Sequence, residues 1–335
     1  MRARAALTVF SLVAALVGCT MPGPAPTPTA APASPTPTLL PSATVPLPAD
    51  TPLPSATAAP ELAVIERVLI ISVDGLRGDA VTPDITPNLM ALAASGAATF
   101  QAQTVLPSST LPAHASMLSG YDVPHHGVTW NDYIPSYGYI QTPTVFTLAH
   151  AAGYRTVMVV GKEKLVQIAV PGSVDSFTYV PGGDFDIAQA GVAEIQAGFG
   201  LLFVHLIGPD AAGHAYGWMS ATYLGTVANS DEAVRRLLAA LEEAGLHQTT
   251  LVIVTADHGG HGTTHGSDLP EDTTIPWIIA GPGIAPGTPL SSSVRVMDTA
   301  ATAIWALGLP RPADMDGRPV VEAFLTAPTQ PDSGG

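Results

Sequence analysis

One cysteine in 335 residues rules out an internal disulfide. Basic side chains are also scarce. Twelve lysines and arginines face 27 aspartates and glutamates, for a formal charge of −15. A chain this acidic lacks the basic face that nucleic-acid binding needs, so no nucleic-acid partner is expected. A phosphate substrate is not excluded, because bound divalent cations invert the field of an acidic site. Charged residues of both signs make up only 12 % of the chain, whereas 47 % is hydrophobic, ample for a buried core. The length holds one large domain or two small ones.

The lone cysteine is informative by its place. Arg2 and Arg4 precede an apolar run over 5–17. That run is too short for a comfortable membrane span and fits a secretory signal. It ends Leu16-Val17-Gly18-Cys19, which resembles the bacterial lipobox. The resemblance implies a lipoprotein signal peptide over 1–19, lipid on Cys19 and an extracytoplasmic protein anchored to the membrane without a spanning helix. Residues 20–60 are Pro, Thr, Ala and Ser with almost no charge. Such a stretch cannot bury a core and reads as an extended tether, with a reach on the order of 100 Å. One globular domain is expected over 61–328, followed by a disordered tail over 329–335.

Within 61–328, apolar runs alternate with helical patterns, the signature of an α/β fold with a largely parallel central sheet and helices on both faces. Strands are expected over 68–73, 154–160, 201–206, 251–255 and 275–280. Helices are expected over 86–95, 111–119, 144–152, 220–244 and 297–307, the long one ended by Gly245. On that helix, Asp231 with Arg235 and Glu232 with Arg236 read as i,i+4 pairs on a solvated face. Three strands end in acidic or imidazole groups, and ligands of open α/β sheets bind at that edge.

The groups at this edge are Asp74, Asp210, His214, Asp257, His258, His261 and His265. Mixed carboxylate and imidazole donors make a divalent-metal site and suit zinc, with manganese or iron also compatible. Asp210 and His214, four apart, share one face of a helical turn. Asp257 and His258 serve one ion only if the chain turns sharply, which Gly259-Gly260 permits. The stretch from Pro107 through Ser108, Ser109, Thr110, Leu111, Pro112 and Ala113 to His114 offers hydroxyls at a helix N-terminus, where the positive field favours an anion. Ser109 or Thr110 is either a nucleophile or an N-cap. Gly161-Lys162-Glu163-Lys164 follows an apolar run and belongs at the same edge. His205 reads as a core residue, and His125 and His126 as support for a phosphate loop. His150 and His247 read as surface residues.

Together these motifs resemble the alkaline phosphatase superfamily, and within it the type I phosphodiesterase/nucleotide pyrophosphatase branch. They are Val73-Asp74-Gly75, Thr110-Leu111-Pro112-Ala113-His114, Asp210 with His214, Asp257-His258-Gly259 and Thr264-His265-Gly266. The resemblance implies an alkaline-phosphatase-like fold and two divalent ions, zinc by preference. One ion falls to Asp74, Thr110, Asp257 and His258, the other to Asp210, His214 and His265, which favours His265 over His261. It makes Thr110 the nucleophile, through a covalent phosphothreonine, and His114 a support of its loop. Asn131, after His126-Gly127, would contact the phosphoryl group. The lysine segment is similar to the Gly-Lys-x-Arg segment of monoesterases in the branch, with Lys164 in place of arginine. It therefore implies monoesterase activity beside diesterase activity on small phosphoesters. The domain is compact beside the family and lacks the insertions that often form a nucleotide pocket. A non-catalytic cell-surface binding protein on the same scaffold is the rival expectation from another class.

Overall fold

The computed structural model describes residues 64–290 and 293–325. Cys19, the signal and tether segments over 1–60 and the tail over 329–335 lie outside the described residues. Among the described residues, no helix is long and apolar enough to cross a membrane.

Among the described residues, eight strands form one sheet in the order β4-β3-β5-β1-β6-β7-β2-β8. The central strands are β1 (Arg67–Val73), β5 (Leu201–Leu206), β6 (Thr250–Thr255) and β3 (Thr156–Val160). β-Branched and leucine side chains run through them without alternation, because both faces are covered. Residues 68–73 are entirely buried. Truncating one of them, as in Ile70→Ala, costs roughly 2–5 kcal/mol, since it removes buried apolar surface and leaves a cavity.

β1 pairs in parallel with β5 on one side and β6 on the other, so their C-terminal ends lie side by side. β3 joins β5 in parallel, and β4 (Ser176–Tyr179) joins β3 likewise. β7 (Thr274–Ala280) runs antiparallel both to β6 and to β2 (Ala97–Gln103). β8 (Thr288–Pro289) completes the edge, parallel to β2. β7 alone is reversed.

Helices cover both faces. On one, α5 (Asp184–Ala197) packs on β5 and on α7 (Ala221–Glu243), joined by α1 (Pro87–Ser95) and α6 (Gly208–Tyr216). On the other, α2 (Thr110–Ser119) packs with α3 (Val123–His126), α4 (Val145–Ala151) and α9 (Asp298–Ala306). A four-residue helix, α8 (Pro270–Thr273), precedes β7.

The long helix departs from its sequence reading at one residue. Asp231 is buried, not solvated, and does not pair with Arg235. Its carboxylate accepts from the Leu89 and Asn88 N–H groups at 2.8 and 3.1 Å and from the Asn88 amide at 2.7 Å. It thus caps α1 from a neighbouring helix, where Thr86, at the N-cap position, makes no side-chain cap bond. Arg235 turns to Glu232 at 2.6 Å, and Glu232 also takes Arg236 at 3.1 Å, as the spacing predicts. Gly245 lies just past the helix in the left-handed region, with φ 68°.

Candidate active site

The C-terminal ends of β1, β5, β6 and β3 deliver the site. β1 runs into Asp74, β6 into Asp257 and His258, β5 into α6 with Asp210 and His214, and β3 into Lys162. Asp74, Asp257 and His258 are fully buried, and Asp210 nearly so. His258 Nε2 lies 3.4 Å from Asp74 Oδ1 and 3.4 Å from Asp257 Oδ2. Asp210 Oδ1 lies 3.4 Å from His214 Nε2 and 3.6 Å from His265 Nε2. Donor atoms of Asp74, Asp210 and His258 come together within 4.8 Å, as do those of Asp210, His214 and His265.

The donor set fits metal ions on two observations. First, Asp74 Oδ1, Asp210 Oδ1, Asp257 Oδ2 and His258 Nε2 are buried acceptors with no hydrogen-bond partner. Buried polar atoms are rarely left this way unless water, an ion or another ligand satisfies them, and four of them meet here. Second, each of the three imidazoles commits its Nδ1 to a backbone carbonyl. His258 Nδ1 meets Gly259 O at 2.7 Å, His265 Nδ1 meets Ser108 O at 2.9 Å and His214 Nδ1 meets Thr263 O at 3.0 Å. A carbonyl only accepts, so the proton sits on Nδ1 and the Nε2 lone pair faces inward, the arrangement that orients a metal-binding histidine.

Charge argues the same way. Three carboxylates meet here, and one ammonium touches two of them. Lys162 Nζ lies 2.7 Å from Asp74 Oδ2 and 2.7 Å from Asp210 Oδ2, and the Oδ1 atom of each carboxylate is left without a partner. Burial works against that ammonium, but the two carboxylates push its pKa up. Burial also raises the Asp74 carboxyl, yet Lys162 and the neighbouring imidazoles hold it well below the usual carboxylate range. Asp257, buried beside the Asp74 charge, is pushed well above that range. Burial lowers the His258 pKa, and burial with the stacked His258 ring brings His265 down to about 4.

Thr110 opens α2, with its side chain buried and Lys162 Nζ donating to its Oγ1 at 3.1 Å. Ser109 occupies the N-cap position but makes no side-chain cap bond. His114 steadies this turn, with Nδ1 at 2.8 Å from Thr110 O and Nε2 at 2.9 Å from Ser72 Oγ. Asn131 Oδ1 accepts from the Leu111 N–H at 2.9 Å and from Lys164 Nζ at 3.0 Å. Burial, then the charge of Lys162, lowers the Lys164 pKa.

Thus Asp74, Thr110, Asn131, Lys162, Lys164, Asp210, His214, Asp257, His258 and His265 converge. His261 does not, since its Nδ1 is held 2.7 Å from Asp272 Oδ1. His126 supports α2 through Ser116 Oγ at 2.9 Å, while His125 turns to Asp316. His205 is a core residue that also touches the site, 2.9 Å from Asp74 Oδ2. Sequence reasoning missed Trp218 and Tyr223, which donate to Gly75 O at 3.0 and 2.9 Å and brace the turn after Asp74. The only signal for Trp218 was its place four residues after His214.

Residues 68–272 match the type I phosphodiesterase/nucleotide pyrophosphatase family, and the chain belongs to that family. Among curated proteins it is 25 % identical over 258 residues to GPI ethanolamine phosphate transferase 1 of Candida glabrata, covering 65 % of this chain and 27 % of the relative. It is 31 % identical over 148 residues to the 2,3-bisphosphoglycerate-independent phosphoglycerate mutase of Synechococcus elongatus, covering 41 % and 27 %. The chain therefore spans about a quarter of the length of these relatives. Among solved structures, murine ectonucleotide pyrophosphatase/phosphodiesterase 5 in complex with AMP superposes with a TM-score of 0.65 at 16 % identity, over 75 % of this chain and 97 % of that one. The phosphonate monoester hydrolase of Silicibacter pomeroyi gives 0.64 at 18 % identity, over 79 % and 78 %. The fold is thus alkaline-phosphatase-like, as the motifs imply.

Proposed function

We propose that this protein is a phosphoester hydrolase that uses two divalent ions and passes through a phosphothreonine on Thr110. The observation that carries the reading is the position of the buried Thr110 hydroxyl, at a helix N-terminus and against Lys162, beside two Asp/His groups with partnerless acceptors. Asp74, Asp257 and His258, with Thr110, would hold one ion, and Asp210, His214 and His265 the other. When bound, the ions supply positive charge to the attacking and leaving oxygens, and the donor set suits zinc.

The chain's own residues account for the rest. Thr110 Oγ1 loses its proton to solvent and attacks phosphorus, the bond from phosphorus to the leaving oxygen breaks, that oxygen takes up a proton, and the phosphoryl group stays on Thr110. Water then attacks phosphorus and loses a proton, the bond to Thr110 Oγ1 breaks, and Oγ1 is protonated again. Lys162 donates to Thr110 Oγ1, which favours its anionic form. The Thr110 N–H makes no hydrogen bond among the described residues and is free for an equatorial oxygen, as in other preorganised anion sites.

A second reading, phosphomonoesterase activity in the same site, is favoured by Lys164. Its ammonium sits 3.0 Å from Asn131 Oδ1, where it can meet the extra charged oxygen of a monoester. Lysine supplies the charge but not the bidentate fork of arginine. A small phosphoester is the substrate class, and lipid on Cys19 would place the site outside the cytoplasm at a membrane surface. Mass spectrometry of the mature N-terminus checks the lipid, and a free Cys19 thiol refutes it. Metal content and turnover of para-nitrophenyl phosphate against bis-para-nitrophenyl phosphate test the reaction. Two ions bound with no turnover of either ester would return the protein to the binding class.

A further inference from the structure

Gln167 belongs to none of the motifs, yet its side chain ties down the loop that carries Asn131. It is buried in the short 3-10 segment Glu163–Ile168, three residues after Lys164. In such a segment residues three apart eclipse one another, so Lys164 and Gln167 face the same way. Both face residues 130–140. Gln167 Oε1 accepts from Trp130 Nε1 at 3.1 Å and from the Ile134 N–H at 3.3 Å. Its Nε2 donates to Ile134 O at 3.0 Å and to Gly138 O at 2.8 Å. Its backbone O accepts from the Ile140 N–H at 2.8 Å. Two donors and two acceptors are the whole capacity of a primary amide, and all four are used inside the protein.

We infer that Gln167 is a positioning residue for phosphoryl recognition. It fixes the loop that carries Asn131 to the turn that carries Lys162 and Lys164, so that one rigid unit meets the substrate phosphate. The inference rests on the proposed hydrolase reading for its consequence but on these hydrogen bonds for its geometry. No other side chain replaces the amide. Glutamate keeps both acceptors but puts a charge against two carbonyls, asparagine is too short, and methionine fills the space without a hydrogen-bonding amide.

The test is a double-mutant cycle of Gln167→Met and Gln167→Glu with Asn131→Ala, read in the metal-loaded full chain with para-nitrophenyl phosphate. Each Gln167 variant is expected to lower kcat/KM by about 10- to 100-fold, the scale of a displaced recognition group, with ion content unchanged. In the Asn131→Ala background the same variants should cost less than about threefold, because a residue acting through Asn131 has nothing left to position. Equal losses in both backgrounds overturn the inference. Hydrogen exchange provides a readout free of turnover. Faster exchange confined to 130–140 is expected in both Gln167 variants, and wild-type protection there also overturns it. If the wild-type protein hydrolyses nothing, the hydrolase reading fails alone, and the same cycle read by calorimetric binding of inorganic phosphate still decides the role of Gln167.

Discussion

The two Asp/His groups are built differently. Asp74, Asp257 and His258 stand at the ends of adjacent strands with no exposed surface. Asp210, His214 and His265 sit on a helix turn and a loop, and the His214 side chain is 47 % exposed. Strand ends are fixed by the pairing on either side, whereas a helix turn and a loop are fixed mainly by their own contacts. The first group is therefore part of the core, whereas the second reaches from a buried Asp210 to the rim through His214.

The largest effect should come from a residue that touches neither carboxylate set. Thr110→Ala is expected to cut turnover by on the order of 1,000-fold or more while both ions stay bound, since groups acting as a unit fail together. Ion analysis beside a rate assay checks it. Full activity in that variant, with Ser109→Ala inactive, would identify the other hydroxyl as nucleophile.

The contrast itself is broken or sharpened by a pair of ligand variants studied in chelator. His258→Ala should lower stability by about 2–5 kcal/mol through the cavity it leaves, whereas His214→Ala should stay within about 0.5 kcal/mol. Equal denaturation midpoints would erase the distinction between core and rim. With ions supplied, His265→Ala should lose one of two, and His261→Ala, held by Asp272, should keep both.

Lys162 contacts one carboxylate from each group, and Lys164 contacts neither. Lys164→Ala is expected to reduce kcat/KM for monoesters by about 1–3 kcal/mol more than for diesters, the size of a charge-assisted hydrogen bond. Lys162→Ala should weaken both ester classes and ion retention as well. If Lys164→Ala slows the two classes equally, it has no part in monoester recognition.

One further effect lies outside both groups. Burial lowers His126 to about 4 from an ordinary value near 6.5, and the residue is only 6 % exposed. The unfolded chain binds its proton first as pH falls, so stability is full above about 6.5 and declines toward 4. The loss should reach about 1–2 kcal/mol by pH 5.5. Thermal melts of His126→Gln in chelator should lack that share of the decline, and an unchanged pH profile would remove His126 as its source.

Much of the site was legible because its strands are continuous apolar runs that stop at an acid. β1, β5 and β6 announce themselves, and the groups they deliver follow. β2 was missed because its sequence, AATFQAQ, is half polar and lies near the sheet edge. β4 and β8 are too short to show a period. Asp231 was misread because local spacing offers it an arginine, while α1, more than 130 residues earlier in sequence, offers uncapped N–H groups. The bridge of Lys162 to Asp74 and Asp210 needs β3 placed beside β5, which no local pattern encodes.

Gly75 extends the contrast between core and rim to how such a protein can diverge. Its φ is +71°, and a Cβ there would come within 2.9 Å of Asp210 Cα. The Asp210 N–H also donates to Asp74 O at 3.0 Å. Main chain therefore sets the interval between the two acidic anchors, and no side-chain rotamer tunes it. The surrounding segments 130–140 and 261–269 carry no such constraint on that interval. A change of sequence in those segments would leave the spacing of Asp74 and Asp210 in place, whereas any side chain added at Gly75 would press on Asp210.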